Sequence, residues 1–420
     1  MSIRALRKKY YNKIDAICVQ SLRNETILFN LVYYAFGKVP LVIDMQVEQI
    51  NTNKTENDFD SYFYPKGAVR LAYHICWGEK IKEKLFESGI EKKRLLQTGP
   101  IQMDFLRPEF KSYYYNREEL LARYGISNNQ KICLFISSFS YVGLSESNRK
   151  SLKTIIGEDE FNAFEKVSNE SFEELIKWLD QFLATESTHV IIYRKHPAEE
   201  KNGRLLELEK KYPKSFRLIS DHSVKQWILI ADNILTWYST SVAEAYFANK
   251  NVAIIRPERI DYDTEVALLN GSEKICSYEK FIEAITGEIY SGLDSEIIEG
   301  YYDVNQTIPS FKRIGDEIIR LHEAPENYFP WDLVQDKFVD SNKKQKREDV
   351  IALIYGIFMR SLLRFETVLH VRLKGNIQVR LDKQLKEKEK RKEEKEEIER
   401  IIKRAPFFRD IVKAYTDVKE

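Results

Sequence analysis

Short apolar runs bounded by polar turns recur along this chain and alternate with stretches of helical period. Residues 14–20, 39–45, 71–77 and 95–98 read as four strands. Between them, residues 25–36 read as a helix capped by Asn24 and stopped by Gly37, and Glu79–Glu87 as a helix ended by Gly89. Residues 117–124 form a further helix closed by Gly125, while residues 50–66 are rich in Asn, Asp and Thr and read as a loop. A second block opens at Lys131 with the buried run 132–136. Helices at about 146–155 and 171–185 follow, then strands near 190–194, 216–219, 233–237 and 252–256. A charged helix and the helix Val224–Ile230 separate the later strands. Strand-then-helix alternation implies parallel sheets with right-handed crossovers. The expectation is an α/β chain of two doubly wound domains, residues 1–128 and 129–328, with a cleft between them.

Residues 329–420 break this rhythm. From Lys343 the pattern is helical, and residues 349–373 carry a broad apolar face with Arg360, Arg364 and Arg372 interspersed. Residues 382–404 are dominated by Lys, Glu and Arg. The amphipathic stretch can pack on the protein, pair with a partner helix, or lie on an anionic membrane surface. Residues 345–405 are therefore the expected contact for a membrane or a helical partner.

Composition narrows the class. The chain has 420 residues, 43% of them hydrophobic, with 23 Phe and 24 Tyr, enough for two cores. Its net charge of +1 gives no reason to expect nucleic acid. Cys18, Cys76, Cys133 and Cys276 lack metal-ligand spacing and read as buried thiols of a reducing compartment. The N-terminus has no signal-peptide run, and no stretch reaches the ~20 apolar residues of a membrane span. A cytoplasmic protein, peripheral at most to the inner membrane face, is expected. The DxD strings Asp58-Phe59-Asp60 and Asp261-Tyr262-Asp263 arise easily among 65 acidic residues, and no metal is expected.

Two segments carry the densest chemistry. One strand runs into Arg194-Lys195-His196-Pro197, where Pro197 stops the strand and presents His196 at the carboxyl edge of the sheet. Another runs into Ser239-Thr240-Ser241, followed by Val242-Ala243-Glu244-Ala245 at a helix start. Open parallel sheets bind ligands past the carboxyl ends of their strands. A histidine there can donate a hydrogen bond to a phosphate oxygen or protonate a departing phosphate, with Lys195 or Arg194 adding charge. Ser241 and Glu244 fit a capping box, which leaves Ser239, Thr240 and the backbone N–H groups for phosphate. Read singly, the segments are a strand-end histidine and a capped helix; together they point to a phosphate-bearing ligand. Ser137 and Ser138, ending the first strand of the second block, either meet that phosphate or form a simple turn. Arg256 ends another strand and would line a nucleotide pocket. His222 would approach the site from the strand before it, whereas His74 reads as core or strand edge.

His196-Pro197 and Ser239-Thr240 resemble, residue by residue, the HP and paired Ser/Thr motifs of bacterial GT-B type glycosyltransferases that use CMP-sugars such as sialic acid and Kdo. The CDP-glycerol glycerophosphotransferases of teichoic-acid synthesis have a similar HP followed by Ser-Ser. Residues 231–241 with Glu244-Ala245 are similar to surface-carbohydrate (capsule) biosynthesis proteins, and Gly99-Pro100 to Asp104 to their inter-domain segment. The resemblance covers roughly residues 12–325. It implies two Rossmann-like domains and a nucleotide-sugar or CDP-polyol donor, with a cytidine nucleotide favoured. It also implies a glycan or lipid-linked acceptor and no cofactor. The donor would be held by Lys195, Pro197, Ser239, Thr240, Ser241, Glu244, Ser137 and Ser138, with His196 catalytic.

The chain departs from these families in two places. Their acidic base motif, two acids then Gly, is absent, and the nearest carboxylates are Asp44 and Glu48. Either can deprotonate an acceptor hydroxyl. The families' opening strand and Gly-rich loop are also absent, so the first domain reads as shortened. A nucleotide-sugar epimerase of the same architecture, or an inactive accessory subunit of a glycan-synthesis complex, are the alternative readings.

Overall fold

The computed structural model describes residues 3–337 except Val47, Tyr62, Glu186 and Ser187. The first sheet is parallel in the order β1-β2-β3-β4, with β1 Ala16–Val19, β2 Leu41–Asp44, β3 Tyr73–Cys76 and β4 Leu95–Gln97. The second contains β5 Lys131–Ile136, β6 His189–Arg194, β7 Phe216–Leu218, β8 Asn233–Thr236, β9 Val252–Ile255 and β10 Lys274–Ile275. Its order is β10-β9-β8-β5-β6-β7, again all parallel. The chain is therefore an α/β protein of two parallel-sheet domains. Strands β2, β3, β8 and β9 are buried at every position, as sheets covered on both faces require.

Counted from β5, the second sheet reads 3-2-1-4-5-6, the Rossmann order. Its strand order reverses between β5 and β8, which opens a crevice at their carboxyl ends. The first sheet has four strands and no reversal. It supplies a wall to the cleft and no switch-point crevice of its own.

Most helices fall where the pattern puts them. Asn24 accepts from Thr26 N at 3.1 Å, and Gly37 takes φ +80°. The middle of that helix, Leu28–Tyr33, is π-helical. The helix expected at 171–185 is the second half of a single helix, Glu158–Thr185. Buried Ser168 and Ser171 occupy apolar-face positions there and break the hydrophobic signal. Ser168 is accommodated by donating to Phe164 O at 2.6 Å.

Near residues 128 and 328, the expected boundaries, each domain lends a segment to the other. Helix Arg117–Arg123 packs on the second domain through Arg117–Asp232 (2.8 Å) and the preceding Tyr115 N to Gln226 Oε1 (2.7 Å). Residues 302–337 return to the first. Asp303 N donates to Trp77 O at 2.6 Å, and Trp331 Nε1 to Val39 O at 2.7 Å. Asp104, in the linker, accepts from Ser310 N and Phe311 N at 2.9 Å each and caps the returning helix Ser310–His322. Gly78 permits the crossing, since a Cβ there would stand 2.4 Å from Gly300 O. Residues 331–337 are a 3₁₀ turn, and the extension expected beyond them lies outside the described residues.

The domains also join across the cleft. Thr52 and Val266 form an antiparallel bridge, Asn53 N donates to Glu265 O (2.9 Å) and Lys54 N to Asp263 O (3.0 Å). Cys76 and Cys133 are buried thiols, and burial pushes Cys76 up to about 12. Cys18 and Cys276 are exposed, contrary to expectation, because each stands at a sheet margin. Among the described residues no helix is long and apolar enough to cross a membrane.

Candidate functional site

The carboxyl ends of β6, β5 and β8 lie side by side, with β5 in the middle. The turns carrying His196 and Ser239 thus stand two strand spacings apart, about 9–10 Å. Neighbouring strands hold them, and the first domain faces them.

The His196 turn is tightly specified. Glu199 N donates to His196 O at 2.9 Å, closing the turn, and His196 N donates to Glu199 Oε2 at 3.2 Å. Ala198 N donates to His196 Nδ1 at 3.1 Å. Since Nδ1 accepts, that bond assigns the imidazole proton to Nε2. His196 is exposed at the cleft mouth, yet crowding by protein still pushes its pKa below the ordinary 6.5, against the upward pull of Glu48. At pH 7 it is a neutral ring with an Nε2–H donor.

Glu48, in the other domain, is near enough for its charge to pull that pKa upward. Glu48 is exposed on the loop after β2, and buried groups fasten that loop. Asp44 Oδ1 accepts from Leu22 N (2.9 Å) and Gln46 N (3.1 Å), and Oδ2 meets His74 Nδ1 at 3.2 Å. Gln49 donates to Ile75 O at 2.6 Å and accepts from Trp77 N at 2.9 Å. Gln46 takes φ +40°, a conformation that such anchoring sustains. Asp44 and His74 are fully buried, so Asp44 is corrected from candidate base to an anchor of the loop that presents Glu48. His74 is core, as its sequence context implied.

The Ser239 turn departs from expectation in its details. Ser241 precedes the helix Val242–Phe247 but makes no capping hydrogen bond. Instead Ser239 Oγ accepts from Ser241 N at 3.2 Å. Glu244 pairs with Lys225 at 3.2 Å rather than completing a capping box, and this takes it out of the donor set. The N–H groups of Ser239, Ser241, Val242 and Ala243 all donate within the turn, and the helix has only six residues. Backbone and dipole therefore offer a phosphate less than the sequence suggested. The hydroxyls of Thr240 and Ser241 make no hydrogen bond among the described residues, and Ser239 keeps its own proton to donate.

Ser138 Oγ accepts from Tyr238 N at 2.9 Å and so ties the two sides of the crevice together. Ser137 is 2% exposed and bonded to Tyr193 and Glu199, so it is corrected from phosphate ligand to internal support. Lys195 is half-buried beside His196, and Pro197 is exposed. Arg194 turns away, donating to Asp221 O (3.1 Å) and His222 O (2.6 Å). His222 packs on Tyr115 and Tyr124. Arg256 is buried, with its Nη2 donating to both carboxylate oxygens of Glu265 at 2.8 and 3.0 Å, and supports the crevice floor rather than lining an open pocket. Sequence reasoning missed Glu199, Gln46 and Gln49. The one available signal was a carboxylate three residues after a strand-end histidine, which surface acids imitate. Among the described residues no cluster of three or more His, Cys, Asp or Glu is placed to hold a metal.

No model of a protein family matches the sequence, and neither does any curated protein. Several solved structures are similar. A UDP-GlcNAc 2-epimerase from Methanocaldococcus jannaschii is 18% identical with a TM-score of 0.45, over 76% of this chain and 79% of that one. The wall teichoic acid polymerase TagF is 15% identical with a TM-score of 0.41, over 73% of this chain and 72% of that one. A further UDP-N-acetylglucosamine 2-epimerase is 14% identical with a TM-score of 0.46, over 77% and 76%. At identities and scores of this size the similarity carries no functional assignment.

Proposed function

We propose that this chain is a transferase that moves a sugar or polyol-phosphate unit from a nucleotide donor, of the cytidine class, to a glycan or lipid-linked acceptor. The observation that carries the reading is the pair of His196 and Glu48, one from each domain. An imidazole whose Nδ1 accepts from Ala198 N, leaving Nε2 to donate, stands at the strand-end crevice, and the exposed carboxylate of Glu48 in the other domain acts on it electrostatically. The crevice beside β5 and β8 takes the donor's phosphates. His196 Nε2–H donates to a phosphate oxygen and stabilises charge as the nucleotide departs, with Lys195 adding positive charge and Ser239, Thr240 and Ser241 their hydroxyls. Glu48 accepts the proton of an acceptor hydroxyl. The freed oxygen forms the new bond to the sugar carbon or polyol phosphorus, while the bond from that atom to the leaving nucleotide's phosphate oxygen breaks.

Calorimetry with CMP, CDP and UDP tests this. Wild type is expected to bind CMP or CDP in preference to UDP, and His196→Ala to lose about 1.5 kcal/mol or more, the worth of a hydrogen bond to a charged group. Tighter binding of UDP would move the reading toward a uridine-sugar enzyme. Equal affinity in wild type and variant would remove His196 from the donor site.

A further inference from the structure

Beneath the His196 turn lies a closed triangle of oxygen atoms. Glu199, 4% exposed, places Oε2 at 2.5 Å from Ser137 Oγ and Oε1 at 2.9 Å from Tyr193 OH. The two hydroxyl oxygens are themselves 2.7 Å apart. Oxygens at these separations need a proton between them, because bare lone pairs repel. Three contacts need three protons. Ser137 and Tyr193 supply one each. The N–H groups of Phe139 (3.4 Å to Ser137 Oγ) and His196 (3.2 Å to Glu199 Oε2) enter from outside and fill none of the three. The third proton has to come from the carboxyl. Three protons close the ring in either sense; in one of them Glu199 Oε1–H donates to the Tyr193 oxygen, Tyr193 O–H to Ser137 Oγ, and Ser137 O–H back to Glu199 Oε2.

We propose that Glu199 is a positioning residue that holds the His196 turn as a neutral carboxylic acid, the third member of a closed hydrogen-bond ring with Ser137 and Tyr193. The ring joins the end of β5 to β6, and the oxygen that closes it also receives His196 N–H. His196 is thereby held where Ala198 N–H can fix its Nδ1. Ionising Glu199 removes one proton, leaves two oxygens facing each other bare, and opens the ring. Burial acts in the same direction and pushes the carboxyl above the ordinary 4.5, against the downward pull of Ser137, Tyr193, His196 N–H and Lys195. The titratable and charged groups around it are Tyr193 from β6 and Lys195 and His196 from the turn, while β5 brings the hydroxyl of Ser137. With its pKa raised in the folded state, its support is full below 4.5 and is lost as pH rises through the raised value. The effect on nucleotide binding rests on the role proposed for His196; the ring does not.

Infrared spectra of the full chain without nucleotide, wild type minus Glu199→Gln, test the ring directly. A protonated-carboxyl band at neutral pH that titrates away on alkalinisation is expected, and its absence at neutral pH overturns the proposal. CMP affinity against pH tests the positioning. Gln can donate to Tyr193 and accept from Ser137. Glu199→Gln is therefore expected to keep CMP affinity within about twofold of wild type and to abolish its alkaline decline. Glu199→Ala, which breaks the ring, is expected to lose about tenfold. A Gln variant as weak as the Ala variant would show that a carboxylate is needed and would overturn the proposal. Wild type that shows the band but binds no CMP supports the ring and overturns the nucleotide reading alone.

Discussion

Glu48→Gln is expected to lower turnover by about 100- to 10,000-fold, the usual contribution of a general base. CMP affinity is expected to stay within about twofold of wild type, because Glu48 belongs to the domain opposite the proposed donor site and replacing its carboxylate removes one proton acceptor and little else. The same variant carries its own structural control. The charge on Glu48 raises the His196 pKa against desolvation, so removing it lets that pKa fall further. An NMR titration of the imidazole reads this shift, and nucleotide release from the donor in the presence of acceptor reads turnover. Unchanged turnover with a lowered His196 pKa would leave the pair in contact and place the base elsewhere. Unchanged pKa would mean that the carboxylate does not face the histidine.

Asp44→Ala is expected to cost about 3 kcal/mol or more of stability in the first domain, since each buried group left without its hydrogen-bond partner costs about 1–3 kcal/mol. The change leaves Leu22 N, Gln46 N and His74 Nδ1 without their carboxylate in a site closed to water. Hydrogen exchange at the Leu22 and Gln46 amides measures this locally, which suits a two-domain chain better than a single melting point. Asp44→Asn keeps an acceptor for the amides and is expected to lose less. The loop holding Glu48 loosens in the Ala variant, so its turnover falls although Glu48 is unchanged. A stable Asp44→Ala protein with protected amides would contradict the anchoring.

The strands were legible in the sequence because each buried run is short, apolar and followed by a turn. Nine of the ten strands described in the two parallel sheets follow from that rhythm; β10, with two residues, is too short to announce itself. The helix from Glu158 was half hidden because serines fill core-facing positions. The placement of the candidate residues was legible too, since His196 and Ser239 sit in the turns that follow strands β6 and β8. Its inner wiring was not. Asp44 and Glu48 are alike as strand-end acids, and depth alone separates an anchor from an exposed carboxylate. Glu199 sits beside Glu200 in the sequence, and only the fold turns the first inward to Ser137 and Tyr193. The exchange of segments between the domains depends on contacts some 200 residues apart, such as Asp104 with Ser310, which no local pattern encodes.

The most direct test is a structure of the full chain with bound CMP. The account predicts the phosphate at the carboxyl ends of β5, β6 and β8, with one oxygen within hydrogen-bond distance of His196 Nε2 while Ala198 N still donates to Nδ1. A nucleotide bound away from this crevice, or a His196 ring turned so that Nδ1 meets the phosphate, would contradict it.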